Sequence, residues 1–256
     1  NGDGDVNWQL GAYYLHINRE VGVSLGADLG QGVIPQLYNA PNSSNPTTQL
    51  YNDAFKTDVY ALFASADANL TDRFNVSVAG RYDIEDRQVS SLVPAVFDPI
   101  TGGPINPGQA IVGGNVQPLG PQSATFKQFQ PKISLRYEVS DNANLYANWG
   151  IGFKSGGFNP GNNTIPVFDS EVIDAYELGI KNTFLDGKGR LNLAFFNYDY
   201  SNLIVGNLVG TAVANTNIPK SRVRGLEAEL VYTPVDPLRL EASLGLLDAT
   251  VRSDFL

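Results

Sequence analysis

Hydrophobic and polar residues alternate with period two through nine segments, at 7–17, 55–70, 72–86, 126–139, 143–153, 171–185, 190–204, 222–233 and 238–251. Period two marks a strand with one face in an apolar environment and the other in water. In 126–139, Phe129, Pro131, Ile133, Leu135, Tyr137 and Val139 share one face, and Gln130, Lys132, Ser134, Arg136 and Glu138 share the other. Segment 72–86 sets Phe74, Val76, Val78, Gly80 and Tyr82 against Arg73, Asn75, Ser77, Arg81 and Asp83. In 171–185, Tyr176, Leu178, Ile180 and Phe184 oppose Glu177, Lys181 and Thr183, and in 238–251 Leu238, Leu240, Ala242, Leu244 and Leu246 oppose Arg239, Glu241 and Ser243. Segment 190–204 declares no face. Asn197 and Asp199 interrupt the side begun by Leu191, Leu193 and Phe195, while Ala194, Phe196, Tyr198 and Tyr200 form a second apolar row. A bulge that switches phase is one resolution, and the facing stays open.

The connections come in two kinds that alternate strictly. Leu70-Thr71-Asp72, Ser140-Asp141-Asn142, Asp186-Gly187-Lys188-Gly189 and Pro234-Val235-Asp236-Pro237 are short and rich in turn formers, whereas 18–54, 87–125, 154–170 and 205–221 are long. This is the pattern of an up-and-down antiparallel meander with tight turns at one end and long loops at the other. Of the 15 prolines only Pro131 falls well inside a segment, and Pro94, Pro99, Pro104, Pro107, Pro118 and Pro121 crowd into 87–125, which is expected to be exposed and mobile.

Aromatics on the oily face recur at a spacing of eight residues, Phe74 with Tyr82, Phe129 with Tyr137 and Tyr176 with Phe184. At ~3.3 Å per residue and ~40° of tilt, eight residues climb roughly 20 Å, close to the ~25 Å apolar band of a transmembrane barrel. A soluble β-sandwich also alternates, but its strands are shorter, at ~5–6 residues. Ions of both signs on the polar wall point instead to a wet lumen crossed by ion pairs. The pattern therefore predicts an all-β fold, an antiparallel up-and-down transmembrane β-barrel, with residues 1–256 supplying about nine strands. Bacterial single-chain barrels have even strand numbers, so this stretch reads as an internal piece of a larger barrel.

Composition narrows the function classes. The absence of Cys removes disulfide frameworks, thiolate metal sites and cysteine nucleophiles, and a net charge of −9 with 17% charged residues argues against nucleic-acid binding. No apolar run reaches the ~18 residues of a membrane-spanning helix, which leaves a barrel open. Residues 1–7 show no signal-peptide pattern.

Segments Asn144-Leu145-Tyr146-Ala147, Gly152-Phe153-Lys154-Ser155-Gly156-Gly157-Phe158-Asn159, Tyr176-Glu177-Leu178-Gly179-Ile180-Lys181 and Arg224-Gly225-Leu226-Glu227-Ala228-Glu229 resemble the barrel of TonB-dependent outer-membrane receptors. Gly80-Arg81-Tyr82 and Phe129-Gln130-Pro131-Lys132 do so too, and the resemblance runs in order from about residue 8 onward. It implies a 22-stranded barrel in the bacterial outer membrane, monomeric when complete and plugged by an N-terminal domain. Such a receptor imports a scarce nutrient such as a ferric siderophore, cobalamin or carbohydrate, driven through TonB. The TonB box, the plug and the terminal strands of the family are not among these residues. The implied partners are outer-membrane lipid, TonB acting through the plug, and a small ligand such as a metal chelate. The alternatives are a plug-free, porin-like passive channel and a soluble carbohydrate-binding β-sandwich.

Candidate chemistry is sparse, and no enzyme activity, resident cofactor or metal site is expected. His16 is the only imidazole, near the outer end of its segment, and reads as a surface or girdle residue. Gly150-Ile151-Gly152-Phe153-Lys154-Ser155-Gly156 matches no phosphate-loop spacing and reads as a flexible strand exit. Glu227 with Glu229, or Glu138 with Glu177, could be imagined as a glycosidase pair, but Lys132, Arg136, Lys181, Arg222, Arg224 and Arg239, read as lying on the same faces, make charge compensation across the lumen the simpler account. The candidate ligand contacts are polar-face residues toward the long loops, Arg81, Asp83, Tyr146 and Asn148, and the loop residues Lys154, Phe158 and Asn159.

Overall fold

The computed structural model describes residues 6–25, 49–91, 109–112, 115–118, 122–159, 167–209 and 212–252. Thirteen strands follow in order: β1 (Val6–Leu25), β2 (Gln49–Thr71), β3 (Phe74–Ser91), β4 (Gln109–Val112), β5 (Asn115–Pro118), β6 (Gln122–Ser140), β7 (Ala143–Lys154), β8 (Gly157–Phe158), β9 (Val167–Phe168), β10 (Glu171–Phe184), β11 (Gly189–Val209), β12 (Ala212–Val235) and β13 (Leu238–Val251). No helix occurs among the described residues. Nine strands form one sheet in the order β1-β2-β3-β6-β7-β10-β11-β12-β13, and β4-β5 and β8-β9 are two separate small hairpins.

Every neighbour in the nine-stranded sheet is antiparallel, so chain order and spatial order coincide. The sheet is the expected meander, and it is not closed. Its tight turns lie at 72–73, 141–142, 185–188 and 236–237, all at one end. In the turn after β10, Leu185, Asp186 and Gly187 all take positive φ, at 54°, 54° and 86°, and the Lys188 amide closes it on the Leu185 carbonyl at 3.1 Å. Glycine accepts that conformation freely and aspartate tolerates it, which is why this connection needs its Asp-Gly pair.

Register carries the facing from strand to strand, because directly paired residues share a face. Val78 pairs with Ala66 and Ile133, Ile133 pairs with Trp149, and Trp149 pairs with Tyr176, so one apolar face continues across five strands. Its side chains are exposed: Val78, Tyr82, Phe129, Ile133, Leu135, Tyr137, Tyr176, Leu178, Leu226 and Leu246 all stand on the outside. Lysine, arginine, glutamate and asparagine line the opposite, concave side. Pro131 pairs with Gly80 of β3, and the ladder to β7 begins only at Lys132, the residue after it. The missing N–H of Pro131 falls where no partner strand needs one.

The structure settles β11. Leu193 and Phe195 are outward, Phe195 being 51% exposed, while Phe196 is 7% exposed and inward. No bulge switches the phase, since Asn202 and Pro219 are skipped together between Ser201↔Lys220 and Leu203↔Ile218. Asn202 takes φ 56° there, opposite a residue that cannot donate. Asn197 and Asp199 therefore do point outward, where Asp199 accepts from Arg222 Nε at 2.6 Å, Arg222 Nη2 at 2.9 Å and Asn197 Nδ2 at 2.9 Å. The oily face ends at Phe195 and an ionic one begins, so Arg222 and Arg224 stand outward and not on the face of Glu227 and Glu229 as expected, because residues an odd number apart on one strand face opposite ways.

Most strands are longer than the alternation indicated, by most at the long-loop end, whereas β10 and β13 keep close to the expected bounds. The stretch 205–221 is mostly paired strand, with β11 and β12 in register as far as Val209↔Ala212. Pro219 accordingly lies well inside β12, as Pro131 does inside β6. The stretch 87–125 includes the end of β3, the β4-β5 hairpin and the start of β6, while 92–108 and most of its prolines lie outside the described residues. Beyond the bilayer neither face needs to be apolar, so pairing continues where periodicity has stopped.

Candidate functional site

The concave wall is built from the polar positions of each strand. On β3, Arg81, Asp83, Glu85 and Arg87 project from one face in succession. Arg81 donates to Asp83 through Nε at 2.7 Å and Nη2 at 2.6 Å, and Arg87 donates to Glu85 through Nη2 at 2.8 Å. Arg136 with Glu138 at 3.7 Å and Arg239 with Glu241 repeat the same spacing of two. These lumen ions, among the described residues, pair along their own strands, where alternate residues lie ~7 Å apart and a long guanidinium reaches back.

Asp83 is 4% exposed, and its carboxylate also accepts from Gln130 Nε2 at 2.6 Å. Its oxygens are engaged by neighbours, and its effect is to hold the Arg81 fork in one orientation. Arg81 lies 5.4 Å from the Tyr13 ring centroid. A concave cavity of about 560 Å³ opens beside it, with Phe63, Gln130, Lys132, Asn148, Glu177 and Tyr198 in its wall. Asn148 pairs with Glu177 across the β7–β10 ladder. Tyr146, two residues along, shares a second cavity of about 490 Å³ with Asn148, Arg136 and Lys181, and the Lys181 ammonium sits 5.4 Å from its ring centroid. The ring lies flat over Gly179, where a Cβ would stand 2.5 Å from it. That close approach explains the glycine in Tyr176-Glu177-Leu178-Gly179.

After β7 the chain turns inward. Ser155 through Asn159 are all buried. A Cβ at Gly156 would collide with the Phe168 carbonyl and the Phe126 ring, so only glycine fits. Phe158 and Phe168 share a cavity of about 330 Å³ with Ile17, Arg19, Phe55 and Arg87, which places the β8-β9 hairpin against the inner wall of β1 to β3. On its other side, Asn159 Nδ2 donates to the Asn215 carbonyl at 2.7 Å and its Oδ1 accepts from the Asn215 amide at 2.8 Å. Asn217 makes the matching clamp, accepting from the Asp169 amide at 2.7 Å and donating to the Asp169 carbonyl at 3.0 Å. The segment read as a flexible strand exit is paired strand as far as Lys154, followed by a packed, pinned turn.

The seven candidate residues therefore fall into groups. Arg81 and Asn148 line one cavity and Tyr146 the next. Asp83 lies behind Arg81, and Lys154 is exposed at the end of β7. Phe158 and Asn159 lie in the inward-turned segment, the first on the cavity side and the second clamped to β12. Gln130, Lys132, Glu177 and Tyr198 join the wall without having been singled out. The first three were legible as polar-face residues, but their height relative to Arg81 comes only from the register. Tyr198 was hidden by the ambiguity of its strand. Among the described residues no cluster of metal-ligating side chains occurs.

A family model described as TonB dependent receptor-like, beta-barrel, matches residues 1–254. The metal-pseudopaline receptor CntO of Pseudomonas aeruginosa is 27% identical over 125 residues, which are 48% of this chain and 17% of that protein. The ferric yersiniabactin uptake receptor FyuA from Yersinia pestis superposes with a TM-score of 0.67 at 15% identity, over 98% of this chain and 34% of that one. The copper transporter OprC superposes with a TM-score of 0.63 at 11% identity, over 95% and 36%. The chain spans about a third of the length of these solved receptors.

Proposed function

The chain belongs to the TonB-dependent receptor β-barrel family, and from that premise we propose that it is part of the wall of a receptor that takes up a metal chelate at the expense of TonB-transmitted energy. Members of this family are outer-membrane proteins of bacteria, and that is where the chain resides. The reading adds a plug and further strands, supplied by additional polypeptide, that complete a monomeric barrel and connect it to TonB. The observation that carries it is the cavity of about 560 Å³ on the lumen wall, with Arg81, Lys132, Asn148 and Glu177 around aromatic surface. A polar chelate passing along such a wall meets oriented donors, acceptors and flat apolar rings. Arg81 presents a guanidinium held in place by Asp83, and Tyr146 lines the neighbouring cavity. Phe158 lines the separate cavity of about 330 Å³ beside Arg87. The similar proteins, a metal-pseudopaline receptor, a ferric yersiniabactin uptake receptor and a copper transporter, favour a metal-containing cargo over a carbohydrate.

The test is uptake of a radiolabelled ferric chelate panel by cells expressing the full-length receptor, with and without TonB. Saturable uptake that disappears with TonB is the expected result. Uptake or ionic conductance that persists without TonB overturns the reading in favour of a passive channel.

A further inference from the structure

We infer that the outward face of β11, β12 and β13, at the long-loop end, is a docking surface for a phosphorylated, multiply acylated saccharolipid of the outer leaflet. Lys220, Arg222 and Arg224 occupy successive outward positions of β12, and Arg252 follows β13 beside them, its amide donating to the Lys220 carbonyl at 2.9 Å. Arg222 pairs with Asp199, while Arg224 is held by Asp248 through Nε and Nη2, both at 2.9 Å. Lys220 and Arg252 hold no ion pair among the described residues. Four cations thus stand against two carboxylates, on a chain whose net charge is −9.

Their position decides the partner. On β13 the outward residues Leu238, Leu240, Ala242, Leu244 and Leu246 run unbroken and then give way to Asp248. On β12 Leu226, Ala228 and Leu230 give way to Arg224 at the same boundary. Tight turns mark the periplasmic end of such barrels, so the cations lie at the outer leaflet's headgroup level, directly above a wall suited to acyl chains. Arg224 is 56% exposed on its side chain, and paired carboxylates orient both guanidiniums without covering them. Guanidinium forks and ammonium groups at that height match phosphates, and the leucine wall beneath matches the acyl chains of the same molecule. The corresponding outward positions nearer β1 carry Asp58, Asp86 and Asp174 with only Lys56, Lys127 and His16, so the basic surface is local to this side. The inference does not depend on what crosses the lumen.

The test uses the full-length receptor, delipidated in detergent and titrated with a diphosphorylated hexa-acyl glucosamine disaccharide lipid, binding being read by native mass spectrometry. Lys220→Gln with Arg252→Gln removes two cations and orphans no carboxylate, so the fold is preserved. Affinity is expected to fall about thirtyfold, the effect of two charges near a lipid surface. Arg239→Gln, a charge lost from the lumen wall, leaves it unchanged, and the dephosphorylated lipid binds the unaltered receptor as weakly as the intact lipid binds the double variant. Equal binding by the double variant, or by the dephosphorylated lipid, overturns the proposal. Displacement by millimolar inorganic phosphate also overturns it, since the surface would then be a site for a soluble anion.

Discussion

A residue on this wall is defined by what stands two positions away on its own strand and directly across on the next. Asp83 shows the consequence. It is buried, yet its partner Arg81 is 38% exposed on its side chain, so the pair is half in water and the stabilisation is that of a partly screened, two-pronged hydrogen bond. Asp83→Ala is expected to cost about 1–2 kcal/mol in the unfolding of the full-length receptor in detergent. Adding Arg81→Ala should cost much less than a second such amount, because the orphaned group is removed with its partner. Strict additivity would mean that the two side chains are not coupled. Gly156 makes a sharper case, because a methyl group there has no room between the Phe168 carbonyl and the Phe126 ring. Gly156→Ala should unseat the inward-turned segment and raise hydrogen exchange at 155–159, at 167–170 and at the Asn215 amide that Asn159 accepts from, while leaving exchange in β13 and in the 222–235 part of β12 unchanged.

An element here is a strand whose two faces meet different solvents, and the strongest test of the assignment is asymmetry between neighbours. Val78→Arg, Ile133→Arg or Ile180→Arg places a charge in the apolar band and should cost about 2–4 kcal/mol of insertion stability, whereas Ser134→Arg, on the lumen face, should cost well under about 1 kcal/mol. The same contrast tests β11 directly, with Leu193→Arg severe and Ala194→Arg mild. Equal sensitivity in reconstituted bilayers would remove the membrane assignment. Most of this level was legible in the sequence, because alternation is imposed by the bilayer and turns are imposed by Asp, Asn, Gly and Pro at the tight end. Where the bilayer stops, the imprint stops too. Asn197 and Asp199 looked like an interruption because the strand had already left the lipid, and 205–221 looked like a loop because paired strand above the membrane carries no hydrophobic period. The candidate site was legible as a set of polar-face residues but not as a place. Arg81, Asn148 and Glu177 are far apart in the chain, and only the strand registers bring them to one cavity. The Asn159 and Asn217 clamps left no sequence signal, since asparagine in a Gly-rich stretch reads equally well as a turn.

At the scale of the whole molecule, the nine-stranded sheet has two borders unpaired among the described residues, and that sets how its stability must be organised. β1 pairs only with β2 and β13 only with β12, so one backbone edge of each is open along 20 and 14 residues. In water such edges are merely adhesive, but in hydrocarbon each unpaired backbone group costs several kcal/mol, far more than the leucine faces of the same strands can offset by entering lipid. The wall is therefore stable only when strands on both sides complete it. Residues 1–256 expressed alone and presented to lipid vesicles should fail to develop the heat-resistant, slowly migrating species of a folded barrel in cold-sample electrophoresis, and should remain protease-sensitive throughout. Embedded in a full-length receptor, the same stretch should become protected from β1 to β13. Protection of the isolated stretch would instead require its two borders to pair with one another or with a second copy, and crosslinking between cysteines introduced at Leu10 and Leu244, on the outward faces of the two edge strands, would distinguish closure within one chain from pairing between two.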